Sequence, residues 1–228
     1  MNKIDIEKLL SSKIKNSKLY KDSLTHRSAS NENNERLEFF GDAILDFFIT
    51  EYLYDKFPDD DEGDLSRKRS YLVRKETLSK IAINLNLGKK IILGEGERKS
   101  GGSKRDSIIA DALEALIAVV YIVDGEEKTR SFIYAVFDDF IKKIPSNDDL
   151  KDSKTKLQEL LQSHNCELPL YETSELNRNN KKSFMTYCKI IEHNINECGT
   201  GTNKRKSQQQ AALKALNKLF TIFKKENA

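Results

Sequence analysis

Asn34-Glu35-Arg36-Leu37-Glu38-Phe39-Phe40-Gly41-Asp42-Ala43-Ile44-Leu45 is the stretch on which the reading of this chain turns. As a helix it places Glu35, Glu38 and Asp42 at i, i+3 and i+7, so three carboxylates share one face. Leu37, Phe40, Ile44, Leu45 and Phe48 fall largely on the other side. Like charges at this spacing repel one another, so a bare acidic row is costly unless a cation sits among them. About seventy residues on, Asp111-Ala112-Leu113-Glu114 repeats the pattern on an apolar segment from Ile108 to Tyr121. Two carboxylate pairs on two core helices form the oxygen-rich donor set that a hard divalent cation takes.

The 228 residues allow one large or two small domains. No run approaches the ~20 apolar residues of a membrane span, and Met1 to Ser12 carries no signal-peptide pattern. The three cysteines, Cys166, Cys188 and Cys198, show no CxxC spacing. They are read as reduced thiols of a cytoplasmic protein, not as a disulfide framework or a zinc site. Charge divides unevenly: residues 1–150 hold 25 Lys/Arg against 28 Asp/Glu, and residues 151–228 hold 14 against 8. That asymmetry suggests an acidic, metal-dependent body followed by a basic nucleic-acid-binding appendage.

Residues 5–20 read as one amphipathic helix. His26 is assigned a structural role, since no Ser or Cys nucleophile pattern accompanies it. The organising helix runs from about Asn34 to Phe57, with Asp46 and Glu51 as solvated charges. The acidic loop Asp59 to Asp64 lacks the alternation of a calcium loop, and Asp64 or Ser66 is expected to cap a helix beginning near Leu65. Another helix covers Thr77 to Leu85. The stretch from Gly88 to Asp106, rich in Gly and basic residues, reads as a loop able to meet phosphates, without the GK[ST] ending of a P-loop. Helices over Ile108–Tyr121 and Glu126–Ile144 follow. The polar break from Pro145 to Asp149 marks a linker. Beyond it the pattern becomes α-β-β-β-α, and Lys204-Arg205-Lys206 at the start of the last helix makes a phosphate site.

The motifs Leu24-Thr25-His26-Arg27-Ser28, Asn34 to Leu45, Asp61 to Ser66, Lys99 to Gly102 and Ser107 to Ile117 resemble, in order and spacing, the ribonuclease III family. Lys154 to Glu159 and Lys204 to Lys206 resemble its double-stranded-RNA-binding domain. The fold so implied is mainly α: an all-helical endonuclease domain over 1–146, a linker over 147–152, and a small α-β-β-β-α RNA-binding domain over 153–223. The function implied is a magnesium-dependent endoribonuclease, with manganese as a substitute, that cuts double-stranded RNA. It leaves 5′-phosphate and 3′-hydroxyl ends with short 3′ overhangs, and processes ribosomal, messenger and transfer RNA precursors.

By motif position, Glu38, Asp111 and Glu114 match metal ligands, and Asp42 and Glu114 catalytic acids. Glu35 and Glu62 match acids near the cut site. Gln158, Gln162, Lys204, Arg205 and Lys206 match RNA contacts, with Arg178 in the turn that lacks the family's Gly-Pro-x-His type loop. Phe39 matches a dimer contact. The partners implied are duplex RNA and a second copy of the chain, with no membrane and no nucleotide or organic cofactor. The competing reading is a catalytically inactive double-stranded-RNA-binding regulator. The presence of all four matching acids argues against it.

Overall fold

The computed structural model describes residues 6–178 and 181–226, and divides into two compact units, Met1–Pro145 and Ser146–Ala228. Helices build the first unit, with an isolated β-bridge between Thr25 and Ile92 among its described residues. In place of one helix over 5–20 it opens with three short ones, α1 (Ile6–Leu9), α2 (Ser12–Lys15) and α3 (Lys18–Ser23). The reason is local. The hydroxyls of Ser11 and Ser17 each accept a backbone N–H, from Ile14 and Tyr20 at 3.2 Å, and so restart the helix twice.

α4 (Glu35–Lys56) and α5 (Glu62–Val73) follow. Asp61, not Asp64 or Ser66, caps α5, its Oδ1 accepting the Asp64 N–H at 2.7 Å. Asp60 of the same acidic loop pairs with the buried Lys68, whose ammonium also lies over the Phe57 ring. α6 (Lys75–Asn84) leads to a segment that is not a plain loop: it contains α7 (Glu95–Lys99) and single 3-10 turns at Leu87–Lys89 and Gly102–Lys104. α8 (Asp106–Asp124) and α9 (Glu126–Ile141) close the unit.

α8 is the axis of this unit. Apart from Asp111, every residue from Ile108 to Val120 is buried, as expected of a helix apolar on nearly all sides. α4 lies against it through Ile44, Leu45, Phe48 and Ile49. At their crossing stands Gly41, where a Cβ would overlap the carbonyl group of Glu114. The glycine lets the backbones of the two acid-bearing helices touch, and this contact brings their carboxylates to one place.

The second unit begins with α10 (Asn147–Leu150), one turn inside the segment read as linker, capped by Ser146. α11 (Ser153–Ser163) starts at the Asp152 cap. β1 (Leu170–Arg178), β2 (Lys181–Ile190) and β3 (Ile195–Gly201) form an antiparallel sheet in that order, with Thr173 opposite Thr186 and Thr186 opposite Gly199. α12 (Lys204–Glu226) packs on the sheet through Ala211, Ala215, Leu216 and Leu219, against Leu157, Leu161, Cys188 and Ile190. Gly199 lets the helix lie against β3, since a Cβ there would strike the backbone of Ser207 and Ala211. No helix among the described residues is long and apolar enough to cross a membrane.

Candidate active site

Two helices build the acidic centre. Glu38 projects from the first turns of α4, and Asp111 and Glu114 from one face of α8. Each offers an oxygen, and the three oxygens lie within 4.8 Å of one another. The centre is asymmetric in burial: Glu114 is only 5% exposed, while Glu38 and Asp111 are half-buried. Burial, then the nearby Asp42, raises the Glu114 carboxyl to about 8. Burial and then Asp111 also push Glu38 upward. Three carboxylates so placed are electrostatically frustrated by themselves, and a cation relieves them. The donor set is all oxygen, partly buried and concave on one side, which fits a hard divalent ion.

Lys75, the first residue of α6, supplies the internal positive charge. Its Nζ lies 2.6 Å from Asp111 Oδ1 and 4.0 Å from Glu38 Oε1. The Asp111 hydrogen bond, above all, holds this ammonium above the usual lysine range. Nothing in the local sequence marks Lys75 for this place; only the approach of α6 to α8 reveals it. A lysine and a divalent ion would share the same oxygens. Lys75→Gln is therefore expected to tighten Mg2+ binding, by about tenfold or less because this half-exposed side chain is screened by solvent. Calorimetric titration with Mg2+ checks this, and equal or weaker binding would refute the competition.

A cleft of about 680 Å3 opens beside the acids, lined among others by His26, Arg27, Glu35, Glu38, Arg105 and Asp111. Glu35 pairs with Arg27 at 3.3 Å, and Arg105 with Glu97 at 2.7 Å. Two guanidinium groups thus stand at the wall of an otherwise acidic cleft, where a phosphate chain would need them. His26 holds Ser28 Oγ through Nδ1 at 2.8 Å, and its backbone N–H binds Ile92 O, a structural bridge at the cleft wall.

Other acids stand apart. Asp42 is outside the three-oxygen group but close enough to raise Glu114 and Asp46. Glu62 lies in the first turn of α5, accepting the Ser66 hydroxyl at 2.9 Å, and is neither in the cluster nor among the cleft-lining residues. Asp46 and Glu51 are not solvated charges. Asp46 is part-buried with its carboxyl raised by burial, and Glu51 pairs with Arg130 and receives the Tyr134 hydroxyl.

On the remaining surface of α4, Phe39 is 81% exposed and Phe47 58%. Phe40 and Ile122 extend the same apolar patch. In the second unit Gln158 and Gln162 stand exposed on α11, one turn apart. Lys204, Arg205 and Lys206 fill the first turn of α12, all exposed, with the Lys206 N–H on Asn203 Oδ1 at 2.8 Å. Arg178 ends β1, and its side chain lies outside the described residues.

A helical body with a carboxylate centre, joined to an α-β-β-β-α module with a cationic helix start, defines a nuclease carrying an RNA-binding module. Family comparison agrees in both halves: residues 16–140 match the ribonuclease-III-like model and residues 153–219 the double-stranded RNA binding motif. Ribonuclease 3 of Histophilus somni is 43% identical over 94% of this chain and 96% of its own length. Ribonuclease 3 of Buchnera aphidicola (subsp. Acyrthosiphon pisum) is 45% identical over 94% and 95%. Among solved structures, the nuclease domain of ribonuclease III from Campylobacter jejuni is 42% identical, covers 61% of this chain and 98% of its own, and has a TM-score of 0.55. The chain belongs to the ribonuclease III family, and it is an endoribonuclease of double-stranded RNA.

Proposed function

We propose that Glu38, Asp111 and Glu114 hold Mg2+, or Mn2+ in its place, and that this centre cuts each strand of duplex RNA to leave 5′-phosphate and 3′-hydroxyl ends with short 3′ overhangs. The meeting of three carboxylate oxygens from α4 and α8 within 4.8 Å is the observation that carries the reading. A divalent ion held there supplies the positive charge and water activation that phosphodiester hydrolysis needs. The protein's own groups do the rest. The Gly41 contact fixes the two helices, so the three acids are positioned in advance. Glu114 must give up its proton to serve as a ligand, and the positive charge of the ion favours that loss. Asp42, one turn along α4 from Glu38, orients the hydration shell or passes a proton. Arg27 and Arg105 offset the repulsion between acidic cleft and RNA phosphates, and Glu35 works at the cut site through its pairing with Arg27. Glu62 acts with Glu35 near the cut site.

The apolar surface at Phe39 favours a homodimer. Exposed Phe39 and Ile122 line one depression with Phe40, and Phe47 lines the next with the same Phe40, an apolar surface of the kind a subunit interface covers; for the Campylobacter jejuni nuclease domain structure a region involved in dimer formation is described. We assign catalysis to 1–146 and RNA binding to 153–223, joined through 147–152, and place the protein in the cytoplasm acting on ribosomal, messenger and transfer RNA precursors. In the second unit, Gln158 and Gln162 read the minor groove, Arg178 at the end of β1 is a further RNA contact, and Lys204, Arg205 and Lys206 clamp phosphates across the groove.

Incubation with a perfectly paired RNA and with its single strand, each with Mg2+ and with chelator, tests the activity. Cutting of the duplex alone, with Mg2+ alone, is expected. Tight duplex binding without cutting would instead favour the inactive-regulator reading. The Lys204→Ala/Arg205→Ala protein is expected to bind duplex RNA more weakly, with a log–log salt slope shallower by about 1–2. An unchanged slope would remove the phosphate clamp.

A further inference from the structure

Outside the nuclease centre, one other group of side chains among the described residues brings metal-binding atoms together. Cys166 lies in the connection from α11 to β1, and Glu192 and His193 in the turn from β2 to β3. One ligand atom from each lies within 4.8 Å of the others. Cys166 Sγ stands 3.4 Å from His193 Nε2. In a tetrahedral zinc site, bonds of about 2.3 Å to sulfur and 2.0–2.1 Å to nitrogen put those two atoms about 3.5 Å apart. The pair is therefore already at the spacing that zinc requires. Phe223 packs against the pair: its ring meets the His193 ring edge-to-face with centroids 5.2 Å apart, and stacks with that of His164, two residues before Cys166, at 3.9 Å. Cys166 and His193 are half-buried, while Glu192 faces solvent and leaves the site open to entry.

We propose that Cys166, Glu192 and His193 form a Zn2+ site in the second unit, completed by water in the fourth position. The donor set selects the ion: thiolate with imidazole favours zinc and other borderline-soft divalent ions, and disfavours the Mg2+ suited to the all-oxygen centre. Binding replaces the Cys166 thiol proton, which leaves to solvent, with the metal. The ion ties the α11–β1 connection to the β2–β3 turn beside the C-terminal part of α12. Phe223 stands about 28 Å along that helix from Lys204, at 1.5 Å per residue. The ion would thus join two connections at a place remote from the cationic helix start.

Titrating the full chain with Co2+ in the presence of excess Mg2+ reads the site directly, because cobalt on a thiolate gives a charge-transfer absorption that carboxylate-bound cobalt lacks. The wild type is expected to develop this band at one equivalent and to lose it on adding Zn2+. Cys166→Ser should abolish it and His193→Ala should shift it, and both should weaken Zn2+ binding by more than the ~10–100-fold that loss of a group hydrogen-bonded behind a ligand costs. Cys198→Ser should leave it intact. Absence of the band in the wild type, its survival in Cys166→Ser, or its loss in Cys198→Ser would overturn the assignment. Retained duplex binding by Cys166→Ser, measured in parallel, shows that the variant is folded.

Discussion

Glu114→Gln is expected to bind duplex RNA in the presence of divalent ion but to cut it on the order of 10^3-fold more slowly, or not measurably. Glutamine keeps the shape of the side chain and removes the charge that the ion requires. The same substitution is expected to raise the stability of the metal-free protein at neutral pH. Glu114 is 5% exposed, and its carboxyl titrates at about 8 in the fold against an ordinary value of 4.5. The folded state therefore binds a proton that the unfolded chain releases between those two values. The stability associated with protonated Glu114 is full below about pH 4.5, falls as pH rises, and levels off above about pH 8. At pH 8 without metal, Glu114→Gln should recover on the order of a few kcal/mol, with little effect near pH 4.5. Cleavage gels and chelator-treated denaturation at several pH values check both halves. Undiminished cutting would remove Glu114 from the centre, and a pH-independent stability difference would refute its burial as a neutral acid.

Gly41→Ala is expected to be among the most damaging single-methyl changes in the first unit. The new Cβ would overlap the Glu114 carbonyl group and crowd Ala118 N at 3.3 Å. Both obstacles are backbone, so neither can rotate away, and α4 and α8 must part. Overpacking of this kind costs about 3 kcal/mol or more, roughly a 10 °C fall in the melting temperature of a domain this size. Because Glu38 rides on α4 and its two partners on α8, Mg2+ affinity should fall with it. Thermal unfolding of the full chain, with the nuclease transition identified by its response to Mg2+, measures the effect. An unchanged transition would mean that the crossing has slack and that the glycine does not set the acid spacing.

The acids were legible because their chemistry is written in local spacing. Glu35, Glu38 and Asp42 on one helix and Asp111 and Glu114 on another announce themselves by i, i+3 recurrence against an apolar background. The sheet module was legible for the same reason, as alternation between two helices. Features made by contacts between distant residues were not. Lys75 reads as one cation in a basic run, and reaches Asp111 only because α6 packs on α8. Lys68 looks like a surface residue until Asp60 and Phe57 enclose it. Cys166 and His193 are separated by a strand hairpin, so no CxxC-like spacing betrays them, and the sequence argued against zinc. The break-up of the N-terminal helix turned on Ser11 and Ser17, whose capping competes with a helical propensity too weak to override it.

The most direct test of the metal centre is a crystal of the full chain grown with Mn2+ and examined for anomalous scattering. A peak is expected within coordination distance of Glu38, Asp111 and Glu114, with Lys75 moved off Asp111. A peak away from these three carboxylates, or an occupied Lys75–Asp111 pair with no ion beside it at saturating Mn2+, would contradict it.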